Sequence, residues 1–125
     1  MKVIVLVAVI MFSSLASAET VNCADEKGIW NVSFELDGEV AKNIVFLKYG
    51  EAYREYGDVS INQTKLRVPF TSRGVIYYEI NLGGAKYLDF ERTFRGDQVQ
   101  SEFPATFLLT SNPFTFEKHV DCSVN

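Results

Sequence analysis

The chain has 125 residues, of which 47% are hydrophobic and 14% aromatic, with 12 Lys and Arg against 16 Asp and Glu. This length suits one domain with a single core, and the apolar content excludes a disordered chain. The formal charge of −4 argues against a nucleic-acid-binding protein, which needs a basic face toward the phosphates. We therefore expect one globular domain without a nucleic-acid partner, and no motif points to a cofactor.

The first 18 residues have the composition of an export signal. Lys2 is followed by an unbroken run of ten apolar residues, Val3–Phe12, and then by Ala16-Ser17-Ala18, a small-x-small cleavage pattern. Ten apolar residues rise about 15 Å as a helix, half of the hydrocarbon core of a membrane, so a transmembrane anchor is disfavoured. We predict a cleaved signal peptide over 1–18, a single domain over 19–125 and a secreted or periplasmic location. Removal of Lys2 makes the mature charge −5.

Two cysteines remain in the predicted mature chain, Cys23 near its start and Cys122 near its end. An even number in an oxidising compartment favours one disulfide. Such a bridge would close a loop over a separation of 99 positions and would stabilise the fold by about 4–5 kcal/mol in the chain-entropy model. A metal site would need further ligands, yet His119 is the single histidine and there is no Cys-x-x-Cys. We predict a Cys23–Cys122 disulfide and no metal site.

Alternation of apolar and polar residues recurs along the rest of the chain and predicts strands. The even positions of Ile29–Leu36 are apolar, and Asp37-Gly38 follows as a turn pair. Asn43–Tyr49 is apolar in both phases, which would fit a strand covered on both faces. Further strands are predicted over Asp58–Asn62, Thr64–Phe70, Gly74–Leu82, Ala85–Glu91, Phe103–Thr110 and Phe114–Cys122.

About eight strands with turn signals at roughly 8–12-residue spacing predict an all-β antiparallel meander, and a closed barrel is favoured over a sandwich. A disulfide between the termini would tie the first strand beside the last and remove exposed edges. Trp30 lies on the apolar phase of the first predicted strand and Lys118 on that of the last. If the disulfide joins these strands, the ammonium could rest over the indole as a cation–π pair. The alternative is a core Trp with a Lys whose charged end reaches solvent.

Gly28-Ile29-Trp30, together with Lys118, resembles the calycins (lipocalins and avidins). In those proteins a Gly-x-Trp opens the first strand, and a basic residue of the last strand packs on that Trp. The resemblance implies a calycin-like barrel. The match covers four residues, and the 107 residues after position 18 are few for the ligand-holding cup of a lipocalin, so we do not assign the chain to this family.

The segment Tyr49–Asp58 is the strongest candidate for a binding site. Tyr and Arg side chains are enriched at interface hot spots, and the segment combines Tyr49, Tyr53, Arg54 and Tyr56 with several acids. The tyrosine spacing could also form one helical turn over 50–57. Alternatively, the segment is a connection whose rings cover one end of the barrel. Tyr77, on the outward phase of its strand, would extend the same surface.

Catalysis has little support in the sequence. A Ser or Cys nucleophile needs a base, and His119 lies on the polar phase of the last strand as a surface imidazole. Glu79 and Asp89 lie on adjacent predicted strands and could do acid–base work on sugars. However, 16 acids on a small barrel produce such pairs by chance. We predict a protein that is not an enzyme.

The leading hypothesis is a monomeric, non-catalytic exported β-domain that binds a protein or another envelope component. Its acidic balance would steer a basic partner, so inhibition of a basic envelope-active enzyme is a specific version. One alternative is a carrier of a small apolar ligand in the barrel interior, although the nine phenylalanines after position 18 favour a filled interior. Another alternative is a structural envelope subunit.

Overall fold

The computed structural model describes residues 18–111 and 114–125, so the predicted signal peptide, apart from Ala18, lies outside the described residues. Ten strands form one sheet in which every pairing is antiparallel. Their bounds are β1 Ala18–Ala24, β2 Trp30–Asp37, β3 Val40–Lys48, β4 Glu51–Tyr56, β5 Val59–Arg67, β6 Arg73–Gly83, β7 Lys86–Arg95, β8 Gln98–Val99, β9 Glu102–Ser111 and β10 Phe114–Val124. Within these two ranges there is no helix with the length and apolar character that crossing a membrane requires.

Eight of the strands close into a barrel. Neighbours follow chain order through β1, β2, β3, β5, β6, β7, β9 and β10, and β10 returns to β1. The closing pair places Cys23 directly opposite Cys122, and the two sulfurs form the predicted disulfide. The predicted all-β meander, its closure as a barrel and the joining of its termini are therefore confirmed. Closure gives each barrel strand a partner on both sides along part of its length.

Two further strands, β4 and β8, lie outside the ring. One end of β3 pairs with β5, and the rest of the same edge of β3 pairs with β4. Tyr49 and Gly50 have φ values of 53° and 79°, and this two-residue turn returns the chain along β3. The helical turn predicted over 50–57 is therefore wrong. A single isolated turn of helix is unfavourable, whereas the free edge of β3 offers a continuous row of backbone hydrogen bonds.

The barrel begins with a strand that the alternation pattern did not predict, β1. Only Val21 and Cys23 are buried within it, and its start overlaps the predicted cleavage site, so the pattern is short. Trp30 consequently lies in the second strand, and β1 separates it from β10. In β3, Ala41, Ile44 and Phe46 are buried, while the other residues are half-buried or exposed, so cover on both faces is only partial.

The interior is filled by side chains from alternate positions of the barrel strands, as expected for eight strands. Phe46 packs edge to face on Phe107 with ring centroids 5.1 Å apart. Phe90 stacks between Tyr78 and Phe103 at 4.5 and 5.0 Å. Since all five residues are buried and belong to one continuous cluster, the aromatic rings occupy the space that a hollow barrel would leave for a ligand.

The barrel has two ends of different composition. At the Trp30 end lie the β3–β4 and β6–β7 turns, and the indole of Trp30 is 4% exposed there. At the opposite end, here called the Arg92 end, lie the β2–β3 and β5–β6 turns, and Arg92 is 2% exposed inside it. These two ends and the wall between them carry all the candidate functional residues.

Candidate functional site

The Trp30 end is closed by a cluster of aromatic rings. Tyr53 meets the indole of Trp30 edge on at 5.0 Å, and Phe116 lies 5.2 Å from it on another side. The Nζ of Lys48 is 5.3 Å from the centroid of the Trp30 ring, a cation–π distance. Trp30 and Lys48 are direct partners in the β2–β3 register, so their side chains share one face.

The cation over the indole is therefore Lys48 rather than the predicted Lys118. Lys118 lines the same shallow depression as Trp30 and Lys48, but it belongs to β10. Because β1 lies between β2 and β10 in the sheet, Lys118 is two strands away from Trp30, whereas Lys48 is its cross-strand neighbour. The buried Trp30 fits the alternative of a core residue beside a Lys with a solvated ammonium.

The side chains of the candidate segment Tyr49–Asp58 differ in their burial and contacts. Tyr53 and Tyr56 are half-buried against the core. The guanidinium of Arg54 lies 4.7 Å from the Tyr53 ring, and its Nη2 donates to the carbonyl of Thr110 at 3.2 Å. Only the Tyr49 ring is largely free, at 71% exposure. Tyr53 therefore helps to close the Trp30 end and Tyr56 packs on Phe46, as in the structural alternative, whereas the other residues of the segment are exposed.

Polar side chains form a row across the outer wall of the barrel. In register, Glu79 of β6 faces Asp89 of β7, Asp89 faces Thr106 of β9, and Thr106 faces His119 of β10. The Thr106 Oγ1 and the His119 Nδ1 are 3.0 Å apart, within hydrogen-bond distance. Four adjacent strands thus place two carboxylates, a hydroxyl and an imidazole side by side.

This row crosses a surface depression of about 660 Å³, here called the acidic face. Its carboxylates are those of Glu79, Asp89 and Glu91, and its lining contains neither Lys nor Arg. Rings of Tyr77, Tyr78, Tyr87 and Phe90 complete the lining. Tyr77 is 40% exposed. The face therefore combines negative charge with accessible aromatic surface.

The depression exists because two strands separate. β7 and β9 pair only from Tyr87 to Phe90, where Phe90 meets Ala105. The next residue of β9 toward its start is Pro104, which has no N–H to donate to the sheet. Beyond this point β7 no longer pairs with β9, and the depression reaches the inner residues Tyr78 and Phe90.

Asp89 is the most perturbed carboxylate of the acidic face. Partial burial raises its pKa, the nearby Glu79 carboxylate raises it further, and a hydrogen bond from the Ile80 backbone opposes the shift. At the edge of the face, the Tyr87 hydroxyl donates to Glu117 Oε2 at 2.7 Å, and this bond raises the pKa of Tyr87. A cation placed between Glu79 and Asp89 would relieve their repulsion.

The inner side of the Arg92 end contains an ion pair between the buried Arg92 and the half-buried Glu19. Arg92 donates to both carboxylate oxygens of Glu19 at 2.9 and 3.3 Å, and its Nε donates to the carbonyl of Gln100 at 2.8 Å. Its guanidinium also lies 5.1 Å from the Phe103 ring. The Nε, Nη1 and Nη2 atoms of this arginine thus each donate to an acceptor of the protein, and the ion pair lies at this end of the barrel.

The described residues contain no group of three or more His, Cys, Asp and Glu that could hold a metal ion. His119 has a side-chain exposure of 79% and lies 4.0 Å from Glu117. Among the described residues, Cys23 and Cys122 form a disulfide, so neither offers a thiol nucleophile. What the acidic face can do chemically is hold a cationic group by charge and by contact with tyrosine rings.

Sequence reasoning found Tyr77, Glu79 and Asp89 but did not bring them together with Thr106 and His119. The alternation pattern does predict that each of these residues points outward from its own strand. Register decides which outward residues become neighbours, and register depends on the turns and on barrel closure. Arg92 was missed for a related reason, because it occupies an inward position of β7 that the alternation assigns to the core.

No family model, curated protein or solved structure matches the chain.

Proposed function

We propose that the chain is an exported, non-catalytic binding protein that holds a basic macromolecule on the acidic face. The observation that carries the proposal is the lining of this depression. The carboxylates of Glu79, Asp89 and Glu91 meet exposed tyrosine surface there, and the lining has no cation. A basic protein enzyme of the cell envelope, such as a lysozyme, is a partner with the required charge.

Charge complementarity would act before and after contact. A net charge of −5 for residues 19–125 speeds the approach of a basic partner, and the effect weakens as salt screens it. After contact, a Lys or Arg between Glu79 and Asp89 would form charge-assisted hydrogen bonds. Tyr77 would add aromatic area at a small cost in side-chain entropy.

Export is part of the proposal, and two features support it. The first is the pattern of residues 1–18, with its basic start, apolar run and Ala16-Ser17-Ala18. The second is the Cys23–Cys122 disulfide, which persists in an oxidising compartment. Cleavage after Ala18 would leave Glu19, the partner of Arg92, as the first residue of the mature chain.

The filled interior favours surface binding over carriage of a small apolar ligand. Phe34, Phe46 and Phe107 are each at most 2% exposed within the barrel, so a ligand would have to displace packed rings. A structural envelope subunit would self-associate, which native mass spectrometry of the 19–125 chain detects directly.

The test measures binding of the 19–125 chain to a lysozyme by isothermal titration calorimetry at about 20 and about 150 mM NaCl. We expect measurable binding that weakens with salt. The combined substitution Glu79→Gln, Asp89→Asn and Glu91→Gln should weaken it by about tenfold or more. The matched control, Glu26→Gln, Glu39→Gln and Glu102→Gln, removes three exposed acids elsewhere and makes the same change in net charge.

An equal loss in both triple variants would show that net charge, and not the acidic face, attracts the partner. Absence of binding, or binding that salt does not change, would overturn the proposal for this class of partner. Tyr77→Ala tests the aromatic contribution separately, with Tyr49→Ala as its control because Tyr49 is an exposed tyrosine at the Trp30 end.

A further inference from the structure

We propose that the β5–β6 hairpin docks the protein, tip first, onto an anionic phospholipid surface. The hairpin, here called the Phe70 hairpin, comprises residues 64–75 and projects from the Arg92 end. β5 pairs with β3 only through Val59 and Ser60, while its pairing with β6 continues to Arg67. The outer part of β5 therefore extends past the β2–β3 turn, with β6 as its neighbour.

The tip of the hairpin presents apolar side chains to solvent. Phe70 is fully exposed, and its backbone has a φ of 62°, a conformation that favours glycine. Hydrogen bonds from the Thr71 amide and hydroxyl to the Val68 carbonyl, at 3.1 and 2.7 Å, hold this turn. Leu66 and Val68 are 55% and 45% exposed. A large ring is thus fixed at the outermost position, where a small residue would be less strained.

Positive charge surrounds this apolar tip. Between Asp58 and Glu79 the chain contains Lys65, Arg67 and Arg73 and no acidic residue, in a protein with a net charge of −4. Asp97 is the acid of the neighbouring β7–β8 turn. The hairpin therefore carries a net positive charge, whereas the molecule as a whole is negative.

Two arginines beside the tip indicate an anionic ligand. Arg73 and Arg95 are direct partners in the β6–β7 register, an arrangement of like charges that is unfavourable without a counterion. Within the described residues, neither forms an ion pair with a carboxylate. Both line a depression of about 580 Å³ that is otherwise largely apolar, with Val68, Val75 and Phe94 among its residues. Phosphate groups above apolar chains match this combination.

A phospholipid surface accounts for these features together. The Phe70 ring and Val68 would enter the interface below the headgroups, and the cations would lie at the level of the phosphates. The acidic face lies farther back along β6 and β7, so repulsion from an anionic surface would keep it directed away from the lipid. A tip-first orientation leaves that face free for a partner.

The test is flotation of the 19–125 chain with lipid vesicles. One set contains phosphatidylcholine alone, and the other contains about 30% phosphatidylglycerol. We expect binding to the anionic vesicles only, weaker at higher salt. Arg73→Gln with Arg95→Gln should lower the partition coefficient by about 25-fold, roughly fivefold for each charge near the surface, and Phe70→Ser should lower it by about tenfold.

Matched controls separate the hairpin from general charge and hydrophobicity. Lys27→Gln with Lys118→Gln removes two exposed cations elsewhere, and Tyr49→Ser removes an exposed ring at the Trp30 end. Both should stay within about twofold of the unmodified chain. On vesicle binding, the fluorescence of the tryptophan introduced by Phe70→Trp should shift to shorter wavelength. Lipids brominated in their acyl chains should quench it. The tryptophan introduced by Tyr49→Trp should show neither change.

Three results would overturn the proposal. The first is absence of flotation with anionic vesicles, and the second is an equal loss in the controls. The third is binding to soluble inorganic polyphosphate or to an acidic protein that is as tight as vesicle binding and does not depend on Phe70, because it would identify a general anion site. None of these outcomes depends on the acidic face, so they test the hairpin independently of the proposed function.

Discussion

The two ends of the barrel combine aromatic rings with cations in opposite ways. At the Trp30 end the indole is 4% exposed, lies beneath Lys48 and meets Tyr53 and Phe116. At the other end the Phe70 ring is fully exposed at the tip of a hairpin that carries Lys65, Arg67 and Arg73. Similar residue types therefore close the fold at one end and face solvent at the other.

The difference shows that residue type alone does not identify a functional surface. Tyr53 and Arg54 are residue types enriched at interfaces, yet the Tyr53 ring packs on Trp30 and the Arg54 guanidinium donates to the backbone carbonyl of Thr110. Phe70 has no such partner, and its backbone conformation costs about 1–2 kcal/mol. An exposed ring on a strained backbone contributes little to the stability of the fold.

The largest expected effect comes from Trp30→Ala. Removing this buried ring should lower the free energy of unfolding by about 3–5 kcal/mol, because lost burial and a cavity both act. Phe70→Ala should stay within about 0.5 kcal/mol, as is usual for an exposed residue. Urea unfolding followed by far-UV circular dichroism measures both. Similar losses of unfolding free energy in the two variants would show that the rings at the two ends contribute equally to stability.

Arg92→Ala should have the next largest effect, a loss of about 3 kcal/mol, because it removes a buried side chain with its hydrogen bonds to Glu19 and Gln100 and leaves a void. Arg92→Met fills that space and leaves Glu19, whose side chain is 38% exposed, able to hydrate. Its cost should therefore be below about 1.5 kcal/mol. Equal losses for the two substitutions in urea unfolding would mean that charge, not packing, seals this end.

Phe70→Gly should stabilise the protein. Relief of about 1–2 kcal/mol of left-handed strain exceeds the 0.5–1 kcal/mol of extra chain entropy that glycine loses on folding, so a net gain of about 0.5–1 kcal/mol is expected. Val68→Gly, a neighbouring exposed position without a positive φ, should instead lose stability. A destabilised Phe70→Gly variant would show that the ring makes a structural contribution.

The smallest effect concerns the acidic face. The pKa of Asp89 is raised in the folded state, chiefly by burial and then by Glu79. The folded protein therefore binds this proton more strongly, and stability falls as the pH rises from about 4, the pKa of an unfolded Asp, through the raised value.

Asp89→Asn should remove this part of the pH dependence and raise the melting temperature at pH 7 by about 2 °C. Differential scanning calorimetry between about pH 4 and pH 8 measures it. A gain of the same size in Asp97→Asn, which removes an exposed carboxylate from a turn, would assign the effect to overall charge rather than to the Glu79 contact.

Local patterns were sufficient for most of the barrel. Period-two alternation predicted β2, β6, β7, β9 and β10, and Asp37-Gly38 predicted a turn. It divided β5 into two strands, Asp58–Asn62 and Thr64–Phe70, whereas the structure has one strand over Val59–Arg67. The pattern failed at β4, where the tyrosine spacing suggested a helical turn. Strand pairing of β4 depends on a vacant edge of β3, and no property within the segment reveals that vacancy.

At the candidate sites, too, local sequence patterns do not predict which residues become neighbours. The sequence places Tyr77, Glu79 and Asp89 outward on their strands, but their alignment with Thr106 and His119 depends on the registers of β7, β9 and β10. The Trp30–Lys118 expectation failed to identify Lys48 because an unrecognised first strand changed the order of neighbours around the barrel.

The sequence by itself determined the all-β fold class and the cysteine pair available for closure, since these follow from local periodicity and cysteine count. Only the tertiary structure decided which rings are buried, which cation covers Trp30 and which charges become neighbours. Those outcomes depend on contacts between residues far apart in the chain, and a shift of one residue in register would change them all.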